Sequence, residues 1–197
     1  MKIRNIALCI LALSLAGGAT AGAEDMIQTW KGKKVRVFAN GSEVEGGGLQ
    51  IDGRTYLPVR ALSDTLQALI KSDGDGVHIY KPNVHLLLFT GDKNAMKPFG
   101  NVFLGTYEFY VFAQVENLKT RAHSIKTTVV DPSGATLDTQ VYKMTEENRD
   151  MFWYTTSPFK IDFKTTGQYK VKFYIKRSEE NDFELLSEKA ILAMKKE

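Results

Sequence analysis

Apolar residues fall in two patterns along this chain. One is a single run, Ile6–Leu15, broken only by Ser14. The other, which governs the rest, is alternation with a period of two, the mark of half-buried strands. In the first half Val35, Val37 and Ala39 alternate with Lys34, Arg36 and Phe38. Asn40-Gly41 then gives a tight-turn signal. Gly46-Gly47-Gly48 links to a short strand, Leu49-Gln50-Ile51, and Asp52-Gly53 turns it back into Arg54-Thr55-Tyr56-Leu57. Pro58 ends that strand, and its fixed φ suits the first turn of a helix. Val59, Leu62, Leu66, Leu69 and Ile70 follow at helical spacing. They predict one amphipathic helix of about three turns, with Asp64 and Lys71 outward. Gly74-Asp75-Gly76 is another turn, and Val77, Ile79 and Leu86-Leu87-Leu88-Phe89 make closing strands.

Beyond Lys97-Pro98-Phe99-Gly100 the pattern is all strand. Tyr107, Phe109, Val111, Ala113 and Val115 share one face, and Ile125, Thr127 and Val129 continue the alternation to a turn at Asp131-Pro132-Ser133-Gly134. Leu137, Thr139 and Val141, then Phe159, Ile161 and Phe163, add two more strands. Tyr169, Val171, Phe173 and Ile175 alternate with Lys170, Lys172 and Lys176, one face buried and one solvated. Ala190, Leu192 and Met194 suggest a final strand. About seven strands with closely spaced turns predict an antiparallel β-sandwich. The fold class expected is therefore mainly β: a small α+β module at 31–90, a twisted antiparallel sheet packed on one helix, followed by a sandwich at 100–195.

The first residues change the compartment. Lys2 and Arg4, the apolar run and the small residues up to Ala21-Gly22-Ala23 form a three-part export signal, with cleavage expected after Ala23. The apolar core is about half the roughly 20 residues a spanning helix needs. No integral membrane segment is expected after cleavage. Cys9, the one cysteine, sits inside the apolar run after Leu8 and too early for lipidation. Its removal excludes disulfides, a thiol nucleophile and zinc–thiolate or iron–sulfur centres. A disulfide-free exported chain of this size suits a bacterium. Two of the 26 basic residues leave with residues 1–23 and none of the 23 acidic ones, so the mature chain carries 24 against 23, a formal +1. That balance gives no electrostatic case for nucleic acid.

Two stretches resemble known families. Ile51-Asp52-Gly53-Arg54-Thr55-Tyr56-Leu57-Pro58-Val59-Arg60-Ala61-Leu62 resembles the N-terminal, or stalk, domain of copper amine oxidases, over about residues 35–89. The resemblance implies a twisted antiparallel sheet round one helix and a spacer or binding role. It implies no copper, because such oxidases hold their metal and quinone in a separate catalytic domain. Gln67-Ala68 and Ser72-Asp73 depart from that family's pattern. Gly53, Arg54, Tyr56, Pro58 and Arg60 are its motif residues. Arg54 and Arg60 could grip an anion, but a motif tied to one turn and one helix start reads as structural, with arginine stems bridging hairpin and helix. Gly167-Gln168-Tyr169-Lys170-Val171 resembles the penultimate strand of immunoglobulin-like domains, where a tyrosine at the strand start closes the corner.

Candidate chemistry is sparse. His78 and His85 flank Lys81-Pro82-Asn83 and could hold a metal with Asp75, or be ordinary strand-edge histidines. His123 has no nearby partner in sequence. There is no Gly-x-Ser-x-Gly elbow and no phosphate-binding glycine loop. Asp73-Gly74-Asp75-Gly76 lacks the later ligands of a calcium loop. Met151-Phe152-Trp153-Tyr154 stands out: Trp153 and Tyr154 could stack on sugars or anchor a partner if exposed, or fill the core. The expectation is a non-catalytic exported protein, secreted or at the cell surface, needing no metal or cofactor. It would bind an envelope protein or polysaccharide, or act as a structural adaptor. An envelope-acting hydrolase or inhibitor is the alternative.

Overall fold

The computed structural model describes residues 32–91, 95–145 and 150–196. The expected export signal at 1–23, Cys9 and the polar stretch 146–149 lie outside the described residues. The chain is mainly β with one short helix. It opens with β1 (Lys33–Val35), β2 (Phe38–Ala39), β3 (Ser42–Glu43), β4 (Gly48–Ile51) and β5 (Arg54–Tyr56). β2 and β3 form a hairpin closed by Asn40 and Gly41, and β4 and β5 one closed by Asp52 and Gly53. All four loop residues have positive φ, 51° and 80° in the first turn and 47° and 75° in the second. This is the mirror-image turn whose twist matches the flanking strands. β1 adds to β4 to complete a three-stranded antiparallel sheet.

Pro58, at φ −72°, stands as the cap of helix α1 (Val59–Leu66). The helix is shorter than the apolar spacing predicts. Gln67 adopts the left-handed conformation, its N–H bonds Asp64 O at 3.2 Å, and the Ala68 N–H bonds Ser63 O at 3.0 Å. This closes the C-terminus. Lys81 Nζ donates to Leu66 O at 2.6 Å, satisfying another terminal carbonyl. Leu69 and Ile70, expected on the helix, instead begin β6 (Leu69–Asp73), which pairs with β7 (Gly76–Tyr80). Both are buried there, Leu69 in the main core. Their spacing from Leu66 fits a helix, but burial from the end of a strand satisfies them equally.

The remaining strands build two facing sheets. They are β8 (Asn83–Thr90), β9 (Lys97–Pro98), β10 (Val102–Phe103), β11 (Gly105–Glu116), β12 (Ser124–Val130), β13 (Thr136–Lys143), β14 (Phe152–Thr155), β15 (Phe159–Phe163), β16 (Gly167–Lys176) and β17 (Glu184–Met194). One sheet runs β14-β11-β8-β9, with β15 pairing further along β11; the other runs β10-β17-β16-β12-β13. Thus β8, which the sequence pattern assigns to the first module, hydrogen-bonds along β11 from Asn83 to Phe89. Leu86-Leu87-Leu88-Phe89 carries apolar side chains on both phases, and the inward pair, Leu86 and Leu88, completes the sandwich core.

Between the sheets lie the alternating residues read from the sequence. Phe109, Val111, Ala113 and Val115 face Val171, Phe173 and Ile175 across one core with Phe159, Ile161 and Phe163. Burying a side chain of this size contributes roughly 1.5–3 kcal/mol. Tyr169 is buried, and its hydroxyl accepts the Thr165 N–H at 3.2 Å, forming the expected corner. On β17 the inward residues are Ile191 and Ala193, so Ala190, Leu192 and Met194 point out. Hydrophobicity alternates weakly there, and the partner register, Tyr169 opposite Ile191, decides the phase.

Candidate binding face

Strand register defines the outward rows of the β14-β11-β8 sheet. Residues directly opposite one another on neighbouring strands share a face. Val115, with Val84 and Phe152, and Ala113, with Leu86 and Tyr154, therefore point inward. The rows between point out: His85–Gln114–Trp153, then Leu87–Phe112–Thr155, then Phe89–Tyr110. Trp153 is 66 % exposed and Leu87 50 %. Phe89, Tyr110 and Phe112 are half-buried and, with Met96 and Thr155, line a surface groove of about 240 Å³.

The groove has a fixed wall. Where the β14–β11 ladder ends, Thr156 takes over. Its N–H bonds Val111 O at 3.0 Å, and its Oγ1 accepts the Val111 N–H at 3.0 Å. Polar groups bound the patch. Gln114 Nε2 donates to Glu116 at 2.6 Å at one end, and Glu108 and Lys160 face each other across β11 and β15 at the other.

The two aromatic candidates separate. Trp153 faces solvent on the edge strand. Tyr154, one residue on, faces the opposite sheet with its ring 5.1 Å from that of Tyr142. Burial first, then Tyr142, pushes its phenol above the ordinary tyrosine pKa. Gln140 Nε2 donates to Ser157 O at 3.1 Å beside it, so this pair closes an edge of the sandwich. Phe89, Tyr110 and Phe112 were not singled out from the sequence. The available signal was that residues 109–113 and 86–89 are apolar on both phases, more than one core face requires.

The motif residues of the first module lie elsewhere. Gly53 is in its turn, and Arg54 and Tyr56 are exposed on β5. Arg60, on α1, donates to Ser72 Oγ at 2.9 Å, bridging helix and β6 hairpin through a hydroxyl. His78 Nε2 lies 3.1 Å from Asp73 Oδ1, and Lys71 Nζ lies 2.9 Å from Asp73 Oδ2. Asp73, held chiefly by Lys71 and also by His78, is lowered to about 2. His85 sits on the outward face opposite Gln114, and His123 Nδ1 is 2.9 Å from Ser124 Oγ. Among the described residues no three His, Cys, Asp or Glu side chains group closely enough to hold a metal. No described helix is long and apolar enough to cross a membrane.

No family model matches the chain. No curated protein matches it either. Among solved structures that match the chain is the soluble domain of PmoD from Methylocystis sp. ATCC 49242 (Rockwell), at 13 % identity and TM-score 0.33, covering 56 % of this chain and 90 % of that one. Another is the C-terminal domain of wzt, at 8 % identity and TM-score 0.35, covering 66 % of this chain and 80 % of that one.

Proposed function

We propose that this chain is a non-catalytic exported module of a bacterial envelope that binds an envelope component on the outer face of its β14-β11-β8 sheet. The stalk-like residues up to about 90 would serve as spacer. The observation that carries the reading is the run of outward apolar side chains from Trp153 through Leu87 and Phe112 to Phe89. An apolar patch bounded by polar groups marks an interaction site, because it gains nothing from water. The chemistry present, rings, an amide, hydroxyls and one imidazole, is suited to holding a ligand more than to transforming one. Sedimentation of the purified protein with isolated envelope material tests this. Trp153→Ala and Leu87→Glu should each weaken retention about tenfold or more, as loss of an interface anchor does. Lys172→Ala, on the other sheet, should leave it unchanged. Equal retention of all four proteins sinks the reading.

A further inference from the structure

We infer that the ligand of this face is an uncharged glycan, bound along several sugar units; this rests on the reading above. Among the described residues, the outward rows contain no carboxylate, lysine or arginine between Glu116 and Glu108, and their one titratable side chain besides Tyr110 is His85. A charged polymer would find no counter-charge in these described rows. Polar groups able to bond hydroxyls lie beside the rings: Gln114 is next to Trp153, with His85 beyond it in the same row, and Thr155 flanks Phe112. A ring face backed by amides and hydroxyls matches a pyranose, whose apolar C–H face stacks while its hydroxyls reach sideways.

Size points the same way. The groove of about 240 Å³ is smaller than the roughly 300–1,000 Å³ of an enclosing small-molecule site. It holds one part of a ligand, not all of it. Trp153 lies outside the groove, two strands and four residues away from Phe89. Strand spacings of about 4.8 Å and rises of about 3.3 Å per residue make that diagonal about 16 Å. One sugar ring does not span this distance, and a short stretch of chain does.

The test uses envelope material divided into three portions, untreated, protease-digested and periodate-oxidised, with the wild-type protein and Trp153→Ala. Retention of the wild type should survive protease, disappear after periodate cleaves the sugar diols, and stay constant as ionic strength rises severalfold. Loss after protease would assign a protein partner and overturn the inference. Retention after periodate would overturn it as well. A steep fall with salt would make the ligand anionic and refute its uncharged character. In these three outcomes the weaker binding of Trp153→Ala to untreated material would leave the binding face standing. Equal binding by Trp153→Ala would instead remove the face itself. A second readout uses the protein's emission. Trp30 and Trp153 are its two tryptophans, so Trp30→Phe leaves Trp153 as the reporter. Soluble glycan released from the same material should shift that emission to the blue; no shift refutes the inference.

Discussion

The two sheets of the sandwich present alike inner faces and opposite outer ones. On the β12, β16 and β17 side the outward positions carry Lys126, Lys170, Lys172, Tyr174 and Glu188. Several of these groups are engaged with neighbours. Lys126 Nζ lies 4.4 Å from the ring centres of both Tyr174 and Phe183, and Lys170 pairs with Glu188 at 2.8 Å. Outward Thr128 and Val130 are buried, and helix α1 packs against β17. On the β14, β11 and β8 side Trp153 is exposed and the rings of Phe89, Tyr110 and Phe112 are half-buried, with no described helix over them. Among the described residues the one helix thus lies on the charged face and not on the apolar one. Were stability the only demand, the cover would sit on the apolar side, where burial gains most. A local rule broken without compensation is expected at functional sites.

The largest effect that sharpens this contrast lies within β11. Phe109 is buried, with its ring 4.6 Å from Phe99 and 5.8 Å from Phe159. Phe109→Ala should cost about 3–5 kcal/mol in urea unfolding. Phe112→Ala, three residues on and facing out, should cost about 1 kcal/mol or less while abolishing retention on envelope material. Similar losses of stability for the two would mean that the outer face is a packing surface, and the contrast would collapse.

A smaller effect concerns the inner faces. Thr127 points inward opposite Phe173, and its Oγ1 is buried with no hydrogen-bond partner among the described residues. An unpaired buried hydroxyl costs more than it contributes. Thr127→Val should therefore raise stability by about 1 kcal/mol, seen as a higher urea midpoint at unchanged slope. A drop instead would mean that the hydroxyl is bonded to a buried water, and that the two inner faces differ more than their apolar pattern suggests.

Much of the fold was legible in the sequence, because alternation and turn chemistry are local. Asn40-Gly41 and Asp52-Gly53 form their hairpins, the phase of Tyr169–Ile175 is as read, and the Tyr169 corner closes. What failed depended on long-range pairing. Leu69 and Ile70 kept helical spacing with Leu66, yet Gln67 in the left-handed region ended the helix before them. The partner of β8 is set by a strand remote in sequence, whereas the final strand formed where expected. The candidate face was half legible for the same reason. Trp153 could be named from its neighbours, but its separation from Tyr154, and its alignment with Gln114 and His85, exist only once β11 lies between β14 and β8.

The finest test asks whether the charged face is covered. Tyr174 points outward from β16, and burial is the largest cause pushing its pKa up, with the carboxylates of Asp64 and Glu188 adding to it. Its folded pKa thus lies above the usual value of about 10. Below that value both states hold the proton and the group adds no pH dependence. As pH rises past it the unfolded chain loses its proton first and binds fewer protons than the folded one, so stability falls with pH until the folded phenol ionises too. Tyr174→Phe should therefore flatten the decline in Tm above about pH 10. Tyr154→Phe should do the same from the sandwich edge, since burial raises that phenol also. An alkaline slope unchanged by Tyr174→Phe would mean that water reaches the ring freely. The two outer faces would then differ in charge alone, and the apolar face would no longer stand out as the one without the described helix.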